Sequence, residues 1–290
     1  MLPRDNKGGY EVQNPYLPYP VRIDKVEVAT EDKSLKTFKF VFMNDGDEEK
    51  FAYQAGQFAE LSVPGVGEIP IGIASSPVEK GFVKFTIFKA GKVTSHMHTM
   101  ATGDIMGLRG PLGNWYPWDL LEGKNLLIVG GGFAFTTLRS SIVYMLDPAN
   151  RCRFGNIDVV YGARTPGMLL YKDELVAWEK RDDINMHLTI DSPAEGWDYN
   201  VGFVPPITEE KAPKADADTY AIICGPPVMI KFTLPVLEKL GYTNNQIIMS
   251  LENRMKCGFG MCGRRTRHRY FQNGRGWRDR ACKRWKIAGW

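Results

Sequence analysis

The chain has 290 residues, 43% hydrophobic and 24% charged, which is ordinary for a globular protein and long for a single core, so two domains are expected. Its net charge of +4 is unevenly spread: residues 254–290 hold twelve Lys or Arg against one acid, Asp279, while the remainder holds 25 basic against 32 acidic residues. No apolar run reaches the roughly 18 residues of a membrane helix, and residues 1–10 are polar with no hydrophobic signal core, so no membrane span is expected and the cytoplasm is the expected compartment.

Residues 1–20 hold four of the 18 prolines and read as an irregular lead-in, with residues 1–16 ahead of the first domain. From 21 to 113 the pattern is β. Residues 37–42, TFKFVF, alternate and then break at Asn44-Asp45-Gly46, a hairpin turn signal. Residues 58–63 and 82–88 read as further strands, punctuated by Pro64-Gly65 and Lys80-Gly81. Short strands with regular turns predict a small antiparallel barrel. Gly91-Lys92-Val93-Thr94 breaks this rhythm, and residues 95–100 read as a short helix with Thr94 as its cap. A helix start there is a place to hold a phosphate. His96 and His98, two apart, do not share a helix face and do not suggest a metal pair. Trp115, Tyr116 and Trp118 suit packing at a domain joint better than a stacking platform.

Residues 125–146, NLLIVGGGFAFTTLRSSIVYML, form the centre of the second half. A branched apolar run is followed by Gly130, Gly131 and Gly132, then by Leu138, Ile142, Val143 and Leu146 at helical spacing. A strand, a glycine turn and a helix start together cradle a dinucleotide pyrophosphate, although a glycine cluster after a strand is also an ordinary tight turn. Strands at 157–161, 187–191 and 220–224 alternate with helices at 169–178 and 228–240, the last containing Pro235 as an expected kink. This alternation predicts a doubly wound parallel sheet, with ligands at the carboxyl ends of its strands. Gly130, Gly162, Cys224 and Gly225 fall there. Cys224 reads equally as a packed core thiol or as a group against a reacting ring.

The landmarks occur in a telling order: GQF at 56–58, GKVTSHMH at 91–98, RGPLGNW at 109–115, LLIVGGG at 126–132, YGARTPGMLLYKDEL at 161–175, CGPPVMI at 224–230 and MKCGFGMCG at 255–263. In this the chain resembles the ferredoxin–NADP reductase superfamily, and within it the flavin- and iron–sulfur-containing electron-transfer subunits of dihydroorotate dehydrogenase, sulfhydrogenase and anaerobic sulfite reductase. The resemblance implies an FAD-binding β-barrel at 17–118, an NAD(P)-binding α/β domain at 119–246 and an iron–sulfur segment at 247–290. It implies FAD over Ile73, Ala74 and Ser75, with its pyrophosphate at Gly91, Lys92, Val93 and Thr94. NAD(P)H would lie over Gly130, Gly131 and Gly132, its nicotinamide near Cys224, Gly225 and Pro226. The family's flavin motif carries an arginine, then an aromatic, then a Ser or Thr; the aligned stretch from Ile69 to Ser75 has no arginine and no hydroxyl ahead of Ser75, and Ala134 stands where a second glycine is usual. A 2Fe–2S cluster would fall on Cys257, Cys262 and Cys282. A redox partner subunit of the heterodisulfide-reductase-like, hydrogenase or sulfite-reductase kind is implied.

Such a cluster needs four thiolates, and Arg265 occupies the family's third ligand position. Residues 264–290 hold eight arginines and three of seven tryptophans, with no Leu, Val or Glu, a composition that cannot build a small core. Three explanations stand: a reading frame that departs after Cys262 or Gly263, a genuine tail that has lost its cluster, or a nucleic-acid-binding arm, the least favoured of the three. No catalytic triad, paired carboxylates or proton-relay histidine suggests hydrolysis. A self-contained NAD(P)H:acceptor reductase without a cluster, or a scaffold that has lost flavin, are the alternatives to an electron-transfer subunit.

Overall fold

The computed structural model describes residues 14–251, 257–258 and 286–288, the last three and Leu251 by their backbone alone. Two sheets follow one another along the chain. The first is antiparallel and made of β1 (Tyr19–Val28), β2 (Leu35–Phe42), β3 (Phe58–Val63), β4 (Gly67–Gly72), β5 (Val83–Phe88) and β6 (Ile105–Leu112), in the order β4-β3-β6-β1-β2-β5. Its outer strands β4 and β5 come back into contact, so the sheet curls toward a closed barrel. Alternation drives this: along β2, Phe38 and Phe40 point inward and are fully buried, while Lys39 between them and Val41 after them are half-buried. They pack with Val21, Ile23, Leu61, Phe85, Ile87 and Leu108 into one apolar core.

Two expectations for this half are corrected. Asn44-Asp45-Gly46 does not turn a hairpin. Gly46, at φ 76°, opens a single helical turn, α1 (Asp47–Lys50), because β2 already has β1 and β5 on its two sides. The short helix is α2 (Lys92–Met97), capped by Gly91, and Thr94 lies inside it. Thr94 Oγ1 accepts from the N–H groups of Ala90 (3.0 Å) and Gly91 (2.8 Å), so it braces the turn from within the helix's first turn. His98 follows the helix; its buried ring donates from Nε2 to the Ile87 carbonyl at 2.9 Å, while His96 is exposed.

A one-turn helix α3 (Trp118–Leu121) leads to the second sheet. There β7 (Asn125–Gly131), β8 (Ile157–Ala163), β9 (Asn185–Ile190), β10 (Asn200–Val201), β11 (Thr219–Cys224) and β12 (Ile247–Leu251) run parallel in the order β10-β9-β8-β7-β11-β12, and β13 (Lys286–Ala288) adds antiparallel to β12. Helices α4 (Phe135–Leu146), α5 (Lys172–Glu179), α6 (Val204–Lys211) and α7 (Pro227–Lys239) alternate with the strands; α7 runs on through Pro235. The helix expected at 169–178 begins only at Lys172, after a 3₁₀ turn at Pro166–Met168. One apolar cluster lies on each face of the sheet, the larger including Phe135, Leu138, Ile142, Val159 and Tyr161. Tyr116 and Trp118 are buried at the junction of the two halves, where Trp118 meets Tyr116, Tyr144 and Phe154, whereas Trp115 is exposed. Gly56, at φ 100°, lets the Tyr116 ring in: a Cβ there would sit 2.9 Å from it.

Candidate active site between the two sheets

The chain leaves β7 in one direction through β8, β9 and β10, and returns on the other side of β7 through β11 and β12. The crevice of a doubly wound sheet opens at this reversal, between β7 and β11. Gly130 lies in register with Cys224 on one side and Tyr161 on the other.

The three glycines do different work. Gly130 and Gly131 belong to the strand, and each is there for close packing. A Cβ on Gly130 would lie 2.7 Å from the Phe135 ring, and one on Gly131 would meet Met229 and Pro226. Only Gly132 is needed for its backbone: its φ is 54°, and nothing stands within 4 Å of where a Cβ would be. Gly132 opens a 3₁₀ turn that runs into α4, and the first N–H groups of such a turn have no partner within it. The Tyr161 hydroxyl steadies this turn, donating to the Gly132 carbonyl at 3.3 Å and accepting from the Leu170 N–H at 3.1 Å. Ala134 sits at φ −66°, an ordinary helical value, so the position calls for no glycine.

Cys224 ends β11 and is 4% exposed, with Thr137 Oγ1 3.5 Å from its sulfur. Gly225 follows, where a Cβ would collide with Met229, then Pro226 as the cap of α7. In the barrel, Gly91 has open space about its Cα and leads into α2. Phe88, three residues before it, lies with its ring centroid 6.4 Å from that of Phe133, next to Gly132. The Gly91 and Gly132 turns thus lie three residues and one residue, respectively, from one contact between the two sheets.

Ile73, Ala74 and Ser75 are all buried. The N–H groups of Ala74 and Ser75 both bond the Lys84 carbonyl, and Ser75 Oγ accepts from the Tyr53 hydroxyl and the Lys84 N–H. Their carbonyls are taken by Arg139 and Ser140 of α4. Arg139, the residue that sequence reasoning passed over, is buried, with Glu79 and Glu174 on either side. Burial works against the Glu79 carboxylate, but the hydrogen bonds and charge of Arg139 outweigh it and hold it below its ordinary range.

Cys257 is 7% exposed, and its carbonyl accepts from Arg109 at 2.9 Å. Arg109 is itself buried between Glu68 at 2.6 Å and Glu60 at 3.9 Å. Cys262, Cys282 and Arg265 lie outside the described residues, among which no group of three or more His, Cys, Asp or Glu could hold a metal. The tail of the chain supplies three thiolates where a 2Fe–2S cluster needs four, and an arginine cannot replace the fourth, so the donor set does not fit a complete cluster. The glycine turns with open backbone do fit nucleotide phosphates.

An antiparallel barrel joined to a doubly wound sheet, each carrying a glycine turn at a helix start, defines a two-nucleotide oxidoreductase. Comparison with known proteins agrees. The oxidoreductase FAD-binding domain family matches residues 25–116 and the oxidoreductase NAD-binding domain family residues 128–234. Sulfhydrogenase 1 subunit gamma of Pyrococcus furiosus is 38% identical over 265 residues, spanning 91% of this chain and 86% of that protein. A probable dihydroorotate dehydrogenase B (NAD(+)) electron transfer subunit of Methanocaldococcus jannaschii is 29% identical, over 82% of this chain and 79% of that one. A ferredoxin NADP+ reductase from Neisseria gonorrhoeae, solved with FAD and NADP, shares the fold at a TM-score of 0.67 and 21% identity, over 79% of this chain and 96% of that one. The chain belongs to the FAD- and NAD-binding oxidoreductase family that includes the sulfhydrogenase gamma subunits. Among the described residues, no helix is long and apolar enough to cross a membrane.

Proposed function

We propose that this protein is the electron-transfer flavoprotein subunit of a multisubunit redox complex, moving electrons between NAD(P)H, FAD and a partner subunit. The observation that carries this reading is that both glycine turns flank one contact between the sheets, Phe88 against Phe133. The chemistry that bound FAD would supply is acceptance of a hydride from NAD(P)H and one-electron donation to the partner. The chain's own part is to hold and orient. Gly91, Lys92, Val93 and Thr94 would hold the FAD pyrophosphate at the start of α2, with the buried stretch of Ile73, Ala74 and Ser75 behind the flavin. Gly132, flanked by Gly130 and Gly131, would take the NAD(P)H pyrophosphate at the approach to α4. Cys224, Gly225 and Pro226 would line the nicotinamide at the reversal of the sheet. With its thiol packed against Thr137, Cys224 would shape that pocket and exclude water from it.

The partner is a redox subunit of the hydrogenase, sulfite-reductase or heterodisulfide-reductase-like kind; the naming of the relatives as a gamma subunit and an electron transfer subunit supports it. A 2Fe–2S cluster needs four thiolates and belongs to this reading in one form only: Cys257 and Cys262 as two ligands, with a reading frame that departs after Gly263 and supplies the other two in place of residues 264–290, Cys282 included. Sequencing the gene across codon 263 tests that pairing. An unshifted open frame, with an intact mass matching the chain, would leave a reductase without a working cluster.

The function itself is tested on anaerobically purified full-length protein. A yellow protein whose flavin band bleaches on addition of NADH or NADPH is the expected result. Colourless protein that takes up no added FAD overturns it in favour of a scaffold. Spin resonance of the reduced protein then separates flavin alone from flavin with a cluster.

A further inference from the structure

Helix α4 begins at the Gly132 turn, yet one of its faces turns away from its own sheet. Arg139 is buried there, its side chain 3% exposed, and it uses all five of its N–H groups. Nε and Nη2 donate to the two oxygens of Glu174, each at 2.7 Å. Nη1 and Nη2 donate to Glu79 at 2.9 and 3.1 Å, and Nη1 donates to the Ala74 carbonyl at 2.8 Å. The next residue, Ser140, donates from Oγ to the Ser75 carbonyl at 2.7 Å. Glu79 also accepts from the Ser76 N–H at 2.7 Å. Three consecutive barrel residues, Ala74 to Ser76, are thus tied to two consecutive residues of α4, directly or through Glu79. Tyr171 closes the network: in a left-handed conformation (φ 56°), it lies 5.2 Å from the Arg139 guanidinium and shares a 2.7 Å hydrogen bond with Thr86 of β5.

We propose that Arg139 and Ser140 are positioning residues for hydride transfer, locking the barrel stretch behind the flavin to the helix that leads from the nicotinamide turn, and so setting the distance between the two rings. This rests on the function proposed above. An apolar seam would hold the two halves together as firmly, since buried ion pairs are often no more stabilising than hydrophobic packing of the same volume. What a doubly bidentate guanidinium adds is a single register, because its fork accepts each carboxylate in one plane. Hydride transfer needs such a register: reacting atoms must meet at roughly 3–3.5 Å, and a displacement of about 1 Å can cost on the order of 100-fold in rate. Arg139 and Ser140 touch neither ring in this reading. They act through the backbone of Ala74 and Ser75 on one side and through α4 on the other.

The test is anaerobic stopped-flow reduction of the full-length, FAD-loaded protein by saturating NADH or NADPH, in wild type, Arg139→Lys, Ser140→Ala and Lys172→Ala. Lys172→Ala breaks an exposed ion pair between the same two halves, with Glu31 at 3.3 Å, and serves as the control. In Arg139→Lys, which keeps the charge and loses the fork, the reduction rate constant is expected to fall about 10- to 100-fold. FAD content and apparent nicotinamide affinity stay near wild type, and the long-wavelength charge-transfer band of stacked nicotinamide and flavin weakens. Ser140→Ala shifts both readouts the same way by less, and Lys172→Ala leaves both unchanged. Wild-type rate and band in Arg139→Lys and Ser140→Ala overturn the inference. Should Arg139→Lys fail to fold, an unchanged Ser140→Ala overturns it alone. A wild-type protein that binds FAD but is reduced by neither NADH nor NADPH overturns the proposed function instead.

Discussion

Glu60 lies on the face of β3 turned away from the barrel core of Ala59, Leu61 and Val63, yet it is 1% exposed and its Oε1 makes no hydrogen bond among the described residues. Burial and then the charge of Glu68 push its carboxyl up to about 7 against the pull of Arg109. A carboxyl raised in the folded state binds a proton that the unfolded chain has released. Between its ordinary value of 4.5 and about 7, stability therefore falls as pH rises. The loss attributable to this one group is on the order of 3 kcal/mol across that window. Glu60→Gln, neutral at every pH, is expected to flatten the slope of urea-unfolding free energy between pH 4.5 and 7; a slope identical to wild type would refute the assignment. Glu60 reads in the sequence as one polar residue of an alternating strand. Its burial comes from β6, which brings Arg109 across from it, and from Gly258, where a Cβ would lie 3.3 Å from the Glu60 carboxylate.

The strand, turn and helix from β7 to α4 show how one motif divides between packing and function. The glycine run, with the apolar strand before it, was legible in the sequence because both are local. The division of labour was not, because it depends on Phe135, which stacks on Tyr161 at 3.7 Å and cannot yield to a side chain on Gly130. Gly130→Ala is expected to cost ~1–3 kcal/mol through overpacking. Gly132→Ala places its Cβ in open space and costs ~1–2 kcal/mol through its left-handed backbone. Urea midpoints measure both, and a Gly130→Ala protein as stable as wild type would show that Phe135 has room to move. The same local reading missed the start of α2, because Thr94 has the chemistry of a cap yet bonds backward to Gly91 from within the helix.

Across the whole molecule, the two sheets are joined by directional contacts: Arg139 to Glu79 and Ala74, Ser140 to Ser75, Tyr171 to Thr86, and the Glu31 N–H to the Gly167 carbonyl at 3.1 Å. Such a seam couples the halves into one cooperative unit. Glu79→Ala removes the carboxylate arm of the central tie and leaves Arg139 paired with Glu174 and with the Ala74 carbonyl. Scanning calorimetry is expected to show one transition for the wild type and two for Glu79→Ala. Two transitions already present in the wild type would mean that the seam orients the halves without coupling their stability.

The sequence by itself determined the antiparallel half before the parallel half, the strands at 37–42, 58–63, 82–88, 157–161, 187–191 and 220–224, and the positions of Gly91, Gly132 and Cys224 at the ends of elements; α1, α3 and α6 went unread. Each feature so determined depends on a side-chain period of 2 or 3.6 or on a glycine at a turn, and these act over a few residues. Tertiary structure alone decided that α4 has two buried faces, that Arg139 is a tie and not a solvated helical arginine, and that the two glycine turns flank one contact between the sheets. The partners of Arg139 stand 65, 60 and 35 residues away along the chain, a distance at which pairing is set by how the sheets pack and not by any local pattern.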